Sequence, residues 1–437
     1  MYRGGVRMRT VLAGALPCMI ALCCVWPFVL KAALDDGLDA QPSLVATQKD
    51  SRDRDYVFVS AFFDDRLDSA RPSIRVLGYH RRPRARPLYC EVRLRTGESL
   101  CLPSAATVVP LDPSTMFNES VVEHFYVCRL AYWHRPVAVS LGFSPNCRGD
   151  DDERLALDVR YSSAAVGRVR SPSGFGVCLS DVISRRVLRS HSDVQTLVEC
   201  IEMNVILGMD RMYIYVGDMN PEVMLALRKY MRRRLVEIVD WSSEQAALTD
   251  RGVALSLNDC LYRHMDRHRY LVFSGVDQLV LPHRQMSWRA LLADVAAAAH
   301  NANAVGAYVF AAFRYYDETT DDRKSSRRSL RGSTASYRLP RIVTHRVRDK
   351  VAGNATRDAR FIVEPRRLIS IAATRISRML PGYLFTSVSP LLGSAHQFES
   401  RTKLNAKDLQ TRVVVDSSHD KYVPRLLKVL HQRFYRK

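Results

Sequence analysis

The sequence predicts an α/β fold with a mostly parallel sheet, preceded by a small β-rich module. Two observations carry this prediction. From residue 171 onward, strand-like apolar segments alternate with segments whose apolar residues recur at helical spacing, a pattern typical of parallel sheets with right-handed crossovers. Between residues 56 and 170, short strand-like segments are separated by turns, which is typical of β structure without helices.

The β-rich module is predicted over residues 56–170. It opens with the strand-like segment at 56–63, and further strands are expected at 74–79 and 88–94. A Ser-Pro-Ser-Gly turn then marks the boundary to a second predicted domain, residues 171–437.

The second domain is predicted to alternate strands and helices in chain order. Its strands are expected at 176–179, 212–216, 236–241, 270–273 and 307–311. The helix predicted at 193–207 ends at Gly208, a residue favoured at helix C-termini, and the next begins with Asn220 and Pro221. Further helices are expected at 259–267 and 290–302, whereas the polar segment 317–336 is expected to be a loop.

The N-terminal residues predict a membrane anchor. Residues 11–30 form a nearly uncharged apolar run, which spans about 30 Å as a helix, enough for a hydrocarbon core. Arginines precede the run, so residues 1–10 are predicted to be a cytoplasmic tail and residues 31–55 a lumenal stem. A cleaved signal peptide is the alternative.

The cysteines suit an oxidising compartment. Of ten cysteines, three lie in the apolar run, which leaves seven for the rest of the chain. Cys90 with Cys101 can bridge a hairpin, and Cys128 with Cys147 can bridge a short loop. Connectivity does not follow from sequence, and an odd number leaves one thiol over.

The net charge and the N-glycosylation sequons indicate which partners and which cell compartment to expect. A net charge of +20 suits nucleic acid, a phosphate-bearing donor or an anionic membrane face. No zinc-finger spacing, aromatic RNA-binding motif or basic heptad pattern accompanies it, so nucleic acid is not the expected partner. Two N-glycosylation sequons, at Asn118 and Asn354, agree with a secretory-pathway lumen. We therefore expect a single-pass type II membrane protein with its folded part in the lumen of the secretory pathway.

One carboxylate marks the predicted ligand site. The segment 269–282 is expected to be a buried strand that delivers Asp277. Ligands of open α/β sheets bind beyond the carboxyl ends of the strands, where Asp240 is also expected. This layout resembles the metal and nucleotide corner of nucleotide-sugar transferases, where an Asp-x-Asp pair is usual, but Gly275 occupies the first position. Asp277 is the candidate ligand for Mn²⁺ or Mg²⁺ and for the nucleotide, or simply a carboxylate that caps the loop after the strand, and Asp240 is a second nucleotide contact.

Other candidates complete the predicted chemistry. His396 is a candidate nitrogen ligand for the metal, although a lone histidine is also a common structural residue. Asp317 and Glu318 follow a strand and are candidate bases for an acceptor hydroxyl, or simply a solvated acidic turn. Arg185 and Arg186 are expected to meet phosphates, or to form a basic surface pair.

Longer segments resemble a known family. The order of the segments 197–215 and 257–263 and of the strand ending at Asp277 resembles glycosyltransferase family 92 over about residues 176–435. Members of that family resemble type II Golgi proteins with a GT-A fold, and animal members include β-1,4-galactosyltransferases that act on fucose of N-glycan cores. The resemblance implies a GT-A-like nucleotide-sugar-binding domain, a UDP-sugar donor, and a glycan acceptor on a glycoprotein or glycolipid.

The departures from the family pattern lie at the predicted metal and nucleotide site. Where the family strand carries Asp-x-Asp-Glu, this chain has Gly275, Asp277 and Gln278, and the later His-His-Tyr-like segment is 396–398. The segment 360–365 matches a basic, strand-like segment before a proline. The resemblance implies an inverting hexosyltransferase, with galactose from UDP-galactose as the expected donor. The alternatives are metal-independent transfer, with arginines neutralising the diphosphate, and a catalytically inactive glycan-binding or scaffolding protein.

Overall fold

The fold is taken from a computed structural model of the chain. The structure describes residues 48–49, 56–80, 86–113, 122–131, 135–147, 156–161, 172, 174–180, 191–217, 220–241, 253–299, 301–317, 339–353, 360–399 and 411–434. Within these ranges no helix has both the length and the apolar character needed to span a bilayer. The predicted tail and anchor, residues 1–30, lie outside them, so both stay predictions.

The first nine strands form one largely antiparallel sheet. They are β1 (Gln48–Lys49), β2 (Tyr56–Asp64), β3 (Ser73–His80), β4 (Tyr89–Leu94), β5 (Ser99–Ala105), β6 (Thr107–Pro110), β7 (Val122–Arg129), β8 (Pro136–Gly142) and β9 (Leu157–Arg160). The strand order is β5-β4-β8-β9-β2-β3-β7-β6, with β1 on β2. The pairing of β2 with β9 is parallel, and the other pairings of this sheet are antiparallel.

A disulfide between β4 and β7 shows that this sheet curls over itself. Strands β4 and β7 are five steps apart in the strand order, roughly 24 Å in a flat sheet, yet Cys90 and Cys128 are bridged with their Cα atoms 6.0 Å apart. A second bridge joins Cys101 to Cys147. The hairpin and short-loop pairings expected from sequence are therefore wrong. Glu91 is the partner of Cys101 across the β4–β5 ladder, so Cys90 and Cys101 point to opposite faces of the sheet.

The remaining chain alternates helices and strands. In chain order the strands are β10 (Phe175–Leu179), β11 (Met209–Val216), β12 (Val236–Asp240), β13 (Tyr270–Ser274), β14 (Gln278–Pro282), β15 (Val305–Phe310), β16 (Ala312–Tyr316), β17 (Val347–Asp349), β18 (Arg360–Val363), β19 (Leu368–Ile371), β20 (Ile376–Met379), β21 (Leu384–Val388), β22 (Gly393–Glu399) and β23 (Val413–Val415). The helices are α1 (His191–Leu207), α2 (Pro221–Arg232), α3 (Val253–His264), α4 (Trp288–Ala298), α5 (Arg341–Thr344) and α6 (Val423–Phe434).

A seven-stranded sheet forms the centre of this part, in the order β12-β11-β10-β13-β18-β15-β21. Strands β12, β11, β10 and β13 pair in parallel, as alternation predicts. Strand β18 pairs antiparallel with both β13 and β15. The molecule is mixed α/β, but the expectation of a mostly parallel sheet is not confirmed, because β18 enters between parallel strands from the opposite direction and the other sheets are largely antiparallel.

The segment 269–282 is two strands, not the single strand expected. Strand β13 ends at Ser274, the chain turns, and β14 joins a different sheet, ordered β14-β22-β16-β17-β23. The pairing of β14 with β22 is antiparallel, and that of β16 with β22 is parallel. The turn between β13 and β14 therefore lies where the two sheets meet.

Helix α3 lies between the N-terminal sheet and the seven-stranded sheet. One hydrophobic cluster joins Phe62 and Phe125 of the N-terminal sheet to Tyr262 of α3 and Phe273 of β13. A disulfide between Cys178 and Cys260 attaches β10 to α3. The sequence predicts this helix at 259–267, but it begins earlier, at Val253. Nearly all of its residues are buried, so its sequence lacks the one-sided apolar pattern that marks a surface helix. The start of the helix is therefore not visible in the sequence.

Candidate functional site

The carboxyl ends of the parallel strands define the candidate site. Asp240 is the last residue of β12, Val216 that of β11, and Ser274 that of β13. Two strands, β11 and β10, separate β12 from β13, so three strand spacings, roughly 14 Å, lie between Asp240 and the turn that carries Asp277. The two predicted nucleotide contacts share one edge but do not meet at one point.

The turn after β13 is closed by an amide and an arginine. The Gln278 Oε1 atom accepts a hydrogen bond from the Gly275 N–H at 2.8 Å and another from Arg360 Nε. Gln278 is buried, and Arg360 begins β18, the antiparallel neighbour of β13. The Arg360 guanidinium, bound to Gln278, therefore lies at the turn where the resemblance implies further carboxylates.

Asp277 is half-buried among cationic side chains. Burial raises the pKa of its carboxyl group, and the positive charges of Arg341 and Arg360 oppose that rise without cancelling it. The Arg341 Nη1 atom is buried and has no hydrogen-bond partner within the described ranges. An unsatisfied guanidinium N–H close to an arginine-flanked carboxylate is a donor available to a ligand oxygen.

A small cavity lies beside this turn. Val276, Leu279 and Arg341 are among its lining residues, and its volume is about 20 Å³. That volume is close to the minimum for a single water molecule. A nucleotide sugar does not fit inside it, so such a ligand would have to bind along the open edge of the strands.

His396 lies within a buried aromatic and polar cluster on β22. Its ring stacks on that of Tyr315, with the centroids 4.2 Å apart. Its Nε2 atom is 3.2 Å from Tyr315 Oη and 3.4 Å from His283 Nε2. Burial lowers the pKa of His396 well below its usual value, and the neighbouring His419 and His283 lower it further, so its imidazole is neutral at neutral pH.

The same cluster contains a carboxylate that is held ionised. Tyr315 Oη donates to Asp416 Oδ2 at 2.8 Å, and Arg348 Nε donates to the same atom at 2.5 Å. Burial alone would raise the pKa of Asp416, but the hydrogen bonds from Ser418, Arg348 and Tyr315 hold it well below its usual value. These interactions anchor the ring of Tyr315, on which His396 stacks.

Three carboxylates follow one edge of the five-stranded sheet. The Phe398 N–H donates to the carbonyl oxygen of Asp277 at 2.9 Å, and Tyr316 is the partner of Glu399 across the β16–β22 ladder. Asp317 directly follows β16, which puts it roughly 12 Å from Asp277, about two strand spacings across the sheet and two residues along it. Glu399 was not among the residues predicted from sequence, and only the pairing of distant strands brings it to this edge.

Several predicted residues lie outside the described ranges. They are Arg185 and Arg186, Glu318, and the sequon residues Asn118 and Asn354. Their roles stay predictions.

The described residues do not form a recognisable metal site. Among them, no group of three or more His, Cys, Asp or Glu side chains is placed to hold an ion. Mn²⁺ and Mg²⁺ favour sets of oxygen ligands, including carboxylates, but the described surroundings of Asp277 include two arginines, and His396 contacts Tyr315 and other histidines. This donor set does not fit such an ion.

The comparison with protein families settles the relationship that the sequence segments imply. Residues 175–429, more than half of the chain, match the model of glycosyltransferase family 92. A search of curated proteins found no match. The match begins at β10 and includes the parallel strands, the turn that carries Asp277, and β22. The chain belongs to glycosyltransferase family 92.

Proposed function

We propose that this chain transfers a hexose from a UDP-sugar to a glycan hydroxyl with inversion, and that the hexose is galactose. Membership of family 92 supports a glycosyltransferase in general. The observation that carries the nucleotide-sugar part of the proposal is the arrangement of Asp277 with Arg341 and Arg360 at the carboxyl end of β13, whereas galactose and inversion are what the family resemblance implies. It combines a carboxylate with two cations at the edge where open α/β sheets bind nucleotides.

Arginines can neutralise the leaving diphosphate in this site. Charge develops on the diphosphate as its bond to the sugar breaks, and fixed cations at that point stabilise the transition state. A guanidinium group presents several N–H donors that match phosphate oxygens. Arg341 supplies the unsatisfied Nη1, and Arg360 is fixed by its bond to Gln278. Asp277 orients these two groups and Asp240 accepts from a nucleotide hydroxyl, while the predicted Arg186 adds a further cation. The competing proposal is that Mn²⁺ or Mg²⁺, with Asp277 and His396 as the ligands expected from sequence, neutralises the diphosphate instead.

Inversion needs a base on the acceptor side. We assign this role to Asp317, with the adjacent Glu318 as the other candidate. The carboxylate takes the proton of the acceptor hydroxyl while that oxygen bonds to the anomeric carbon and UDP leaves with the electron pair of the broken bond. Asp317 follows β16 on the same edge as Asp277, which supports the assignment.

The proposed setting is the Golgi lumen. Three disulfides among the described cysteines suit an oxidising compartment. With the apolar run at 11–30 and sequons at Asn118 and Asn354, they support a type II Golgi membrane protein that acts on glycoprotein or glycolipid glycans. Nucleic acid is not a proposed partner.

A second candidate function is glycan binding or scaffolding without catalysis. Gly275 and Gln278 stand where the resemblance implies acidic residues, and the Gln278 amide is occupied by the Gly275 N–H and Arg360. This closed corner is the observation that favours the inactive alternative.

Thermal unfolding with ligands tests the proposal. Residues 50–437, made in a secretory host, are unfolded with a panel of UDP-sugars, with and without Mn²⁺, beside Arg341→Gln and the control Glu98→Gln in an exposed turn. A ligand at a hundred times its Kd stabilises the native state by about 2.7 kcal/mol. We expect UDP-galactose to raise the unfolding midpoint without Mn²⁺, and Arg341→Gln to reduce that shift while Glu98→Gln retains it.

The other outcomes separate the alternatives. A shift that appears only with Mn²⁺ supports the metal proposal. Folded protein that binds glycans but shows no shift with any UDP-sugar supports the inactive alternative and overturns the transferase proposal. Product analysis with an acceptor glycan then identifies the linkage and its anomeric configuration.

A further inference from the structure

A polar cavity lies between the N-terminal sheet and α3. Its volume is about 180 Å³. It is lined by aromatic rings and guanidinium groups, among them Phe62, Phe63, Tyr161, Arg160, Arg263 and Arg267. Phe62 and Phe63 belong to β2, and Arg160 ends β9, so residues that precede the family match build one wall. We call this cavity the seam cavity.

The seam cavity is separate from the proposed transfer site. Arg263 is near the C-terminal end of α3, and Arg267 lies in the segment that leads into the amino end of β13. Asp277 lies beyond the opposite end of that strand. A five-residue strand is roughly 16 Å long, so the two sites occupy opposite ends of the sheet.

Arg263 presents an unsatisfied donor in this region. Its side chain is only 5% exposed, and its Nε and Nη2 atoms donate to the two oxygens of Asp259 at 2.7 and 2.9 Å. Its Nη1 atom is buried without a hydrogen-bond partner within the described part of the chain. A buried guanidinium N–H without an acceptor costs free energy, and an oxygen in the cavity would remove that cost.

The neighbouring charges favour an anion. Burial lowers the pKa of Arg160, and repulsion from Arg263 lowers it further, against the attraction of Asp259 and Asp158. Asp266 also lines the cavity, but Arg366 binds it at 2.6 Å. Asp259 is satisfied by Arg263 and by the Tyr215 hydroxyl at 2.6 Å. Arg267 binds Glu237 at 3.0 Å. Asp259, Asp266 and Glu237 are thus occupied, and donors remain for a ligand.

We propose that the seam cavity binds an oxyanion carried on a sugar-sized ring, with Arg263 Nη1 and Arg160 donating to its oxygens. The cavity volume exceeds by more than tenfold the roughly 10–15 Å³ that a single water molecule needs, so a bare sulfate or phosphate leaves space unfilled. The Phe63 and Tyr161 rings, stacked at 4.8 Å, supply an apolar wall for the ring of the ligand. The chemistry is that of a uronate or a sulfated or phosphorylated sugar, and it holds whether or not the Asp277 corner transfers a sugar.

Calorimetric titration of the full 437-residue chain tests this proposal. The probes are glucuronate, sodium sulfate and sodium phosphate at constant ionic strength, with glucose as the uncharged control. The test variant is Arg160→Gln, which relieves repulsion on Arg263 and should therefore fold. Arg263→Gln is avoided because it strands the buried Asp259. Arg289→Gln, on the exposed face of α4, is the matched control.

We expect glucuronate to bind more tightly than either inorganic anion, and glucose not to bind. Arg160→Gln should weaken glucuronate about ten- to a hundredfold, the usual effect of losing a hydrogen bond to a charged group. Arg289→Gln should leave its affinity unchanged, and so should Asp277→Asn, which separates this site from the transfer site. Sulfate or phosphate binding that exceeds glucuronate binding would overturn the ring component of the proposal. Absence of anion binding, equal binding of glucose, or binding unaffected by Arg160→Gln would overturn the site itself.

Discussion

Asp277 has two competing roles that a single substitution separates. If Arg341 and Arg360 hold the diphosphate, Asp277→Asn removes a neighbouring negative charge but keeps a hydrogen-bond acceptor. We then expect UDP affinity without Mn²⁺ to change less than about tenfold, the range of one ordinary hydrogen bond. Calorimetric titration of UDP measures this directly. If wild-type binding requires Mn²⁺ and the variant loses it, Asp277 is a metal ligand and the arginine proposal fails.

Arg360 should affect UDP binding more strongly than Asp277. Its positive charge acts on Asp277, and its Nε atom donates a hydrogen bond to Gln278 Oε1. Arg360→Gln should weaken UDP about ten- to a hundredfold, because a charge-assisted hydrogen bond is lost. Arg360→Lys retains the positive charge but lacks the planar guanidinium, so its affinity for UDP should lie between those of wild type and Arg360→Gln. Equal affinity of wild type and Arg360→Gln in the same titration, with Arg289→Gln as control, would remove Arg360 from the phosphate site.

Asp64 couples acid stability to a buried ion cluster. Its carboxylate accepts from Arg66 Nε at 2.8 Å and Arg75 Nε at 2.6 Å, and both arginine side chains are buried. Burial would raise the pKa of Asp64, but the two arginines hold it well below its usual value. A carboxyl group with a depressed folded-state pKa contributes stability above its unfolded pKa, about 3.9, and loses it as the pH falls toward the folded value.

Asp64→Asn should therefore cost about 3–5 kcal/mol at pH 7, because it leaves two buried arginines without their counterion. The cost should shrink as the pH falls below about 4, because the unfolded wild type then takes up a proton at Asp64 while the folded protein still holds the carboxylate ionised, which lowers the stability of wild type toward that of the variant. Urea unfolding across pH 2–7 measures both effects. Asp68→Asn, at an exposed carboxyl group four residues away, should show neither. A pH-independent cost in Asp64→Asn would show that packing, not charge, carries the effect.

At the level of elements, local signals predicted helices better than sheet pairing. Helix α1 ends before Gly208, which has a φ of +108°, and Asn220 Oδ1 caps the first turn of α2 by accepting from the Glu222 N–H. Both features are local and visible in sequence. The direction of β18 and the separation of β13 from β14 depend on pairings between distant segments, which apolar patterns alone do not encode.

The dependence on pairings between distant segments also explains why only part of the candidate site could be predicted from sequence. Sequence identified Asp277, His396 and Asp317, each next to or within a strand. It gave no role to Arg341, Glu399 or the cluster around Tyr315, because their proximity arises only through β16, β18 and β22. The segment that begins at Arg360 matched a family pattern, but its contact with Gln278 required the antiparallel pairing with β13.

The bridge between β10 and α3 makes a testable contribution to stability. Cys178 and Cys260 are 82 residues apart in sequence. In the chain-entropy description, closing a loop of that length stabilises the native state by about 4.5 kcal/mol. Replacing both cysteines by alanine should lower the free energy of unfolding by roughly 2–5 kcal/mol in urea titration. Cys200→Ala, at the buried thiol outside the three bridges, controls for loss of a buried sulfur. Equal effects of the two changes would show that packing outweighs the cross-link.

At the scale of the whole molecule, the N-terminal sheet shares a core with the family-92 region. The Tyr262 ring lies 5.3 Å from that of Phe62 and 5.2 Å from that of Phe125, centroid to centroid. Its hydroxyl donates to the Ile369 carbonyl at 2.9 Å, and the Arg66 guanidinium lies 4.9 Å from its ring. One side chain thus contacts β2, β7 and β19, which belong to three different parts of the chain.

This shared core predicts that residues 50–437 unfold in one transition. A two-state protein has equal calorimetric and van't Hoff enthalpies, and we expect that equality in scanning calorimetry under conditions where unfolding is reversible. Tyr262→Ala should cost about 3–5 kcal/mol, the usual range for removing a large buried aromatic ring, and should lower the midpoint of the whole transition. Two separate transitions in the wild type would contradict a common core. Splitting of the transition only in Tyr262→Ala would instead locate the coupling between the two parts at this ring, because its removal leaves each part with a core of its own.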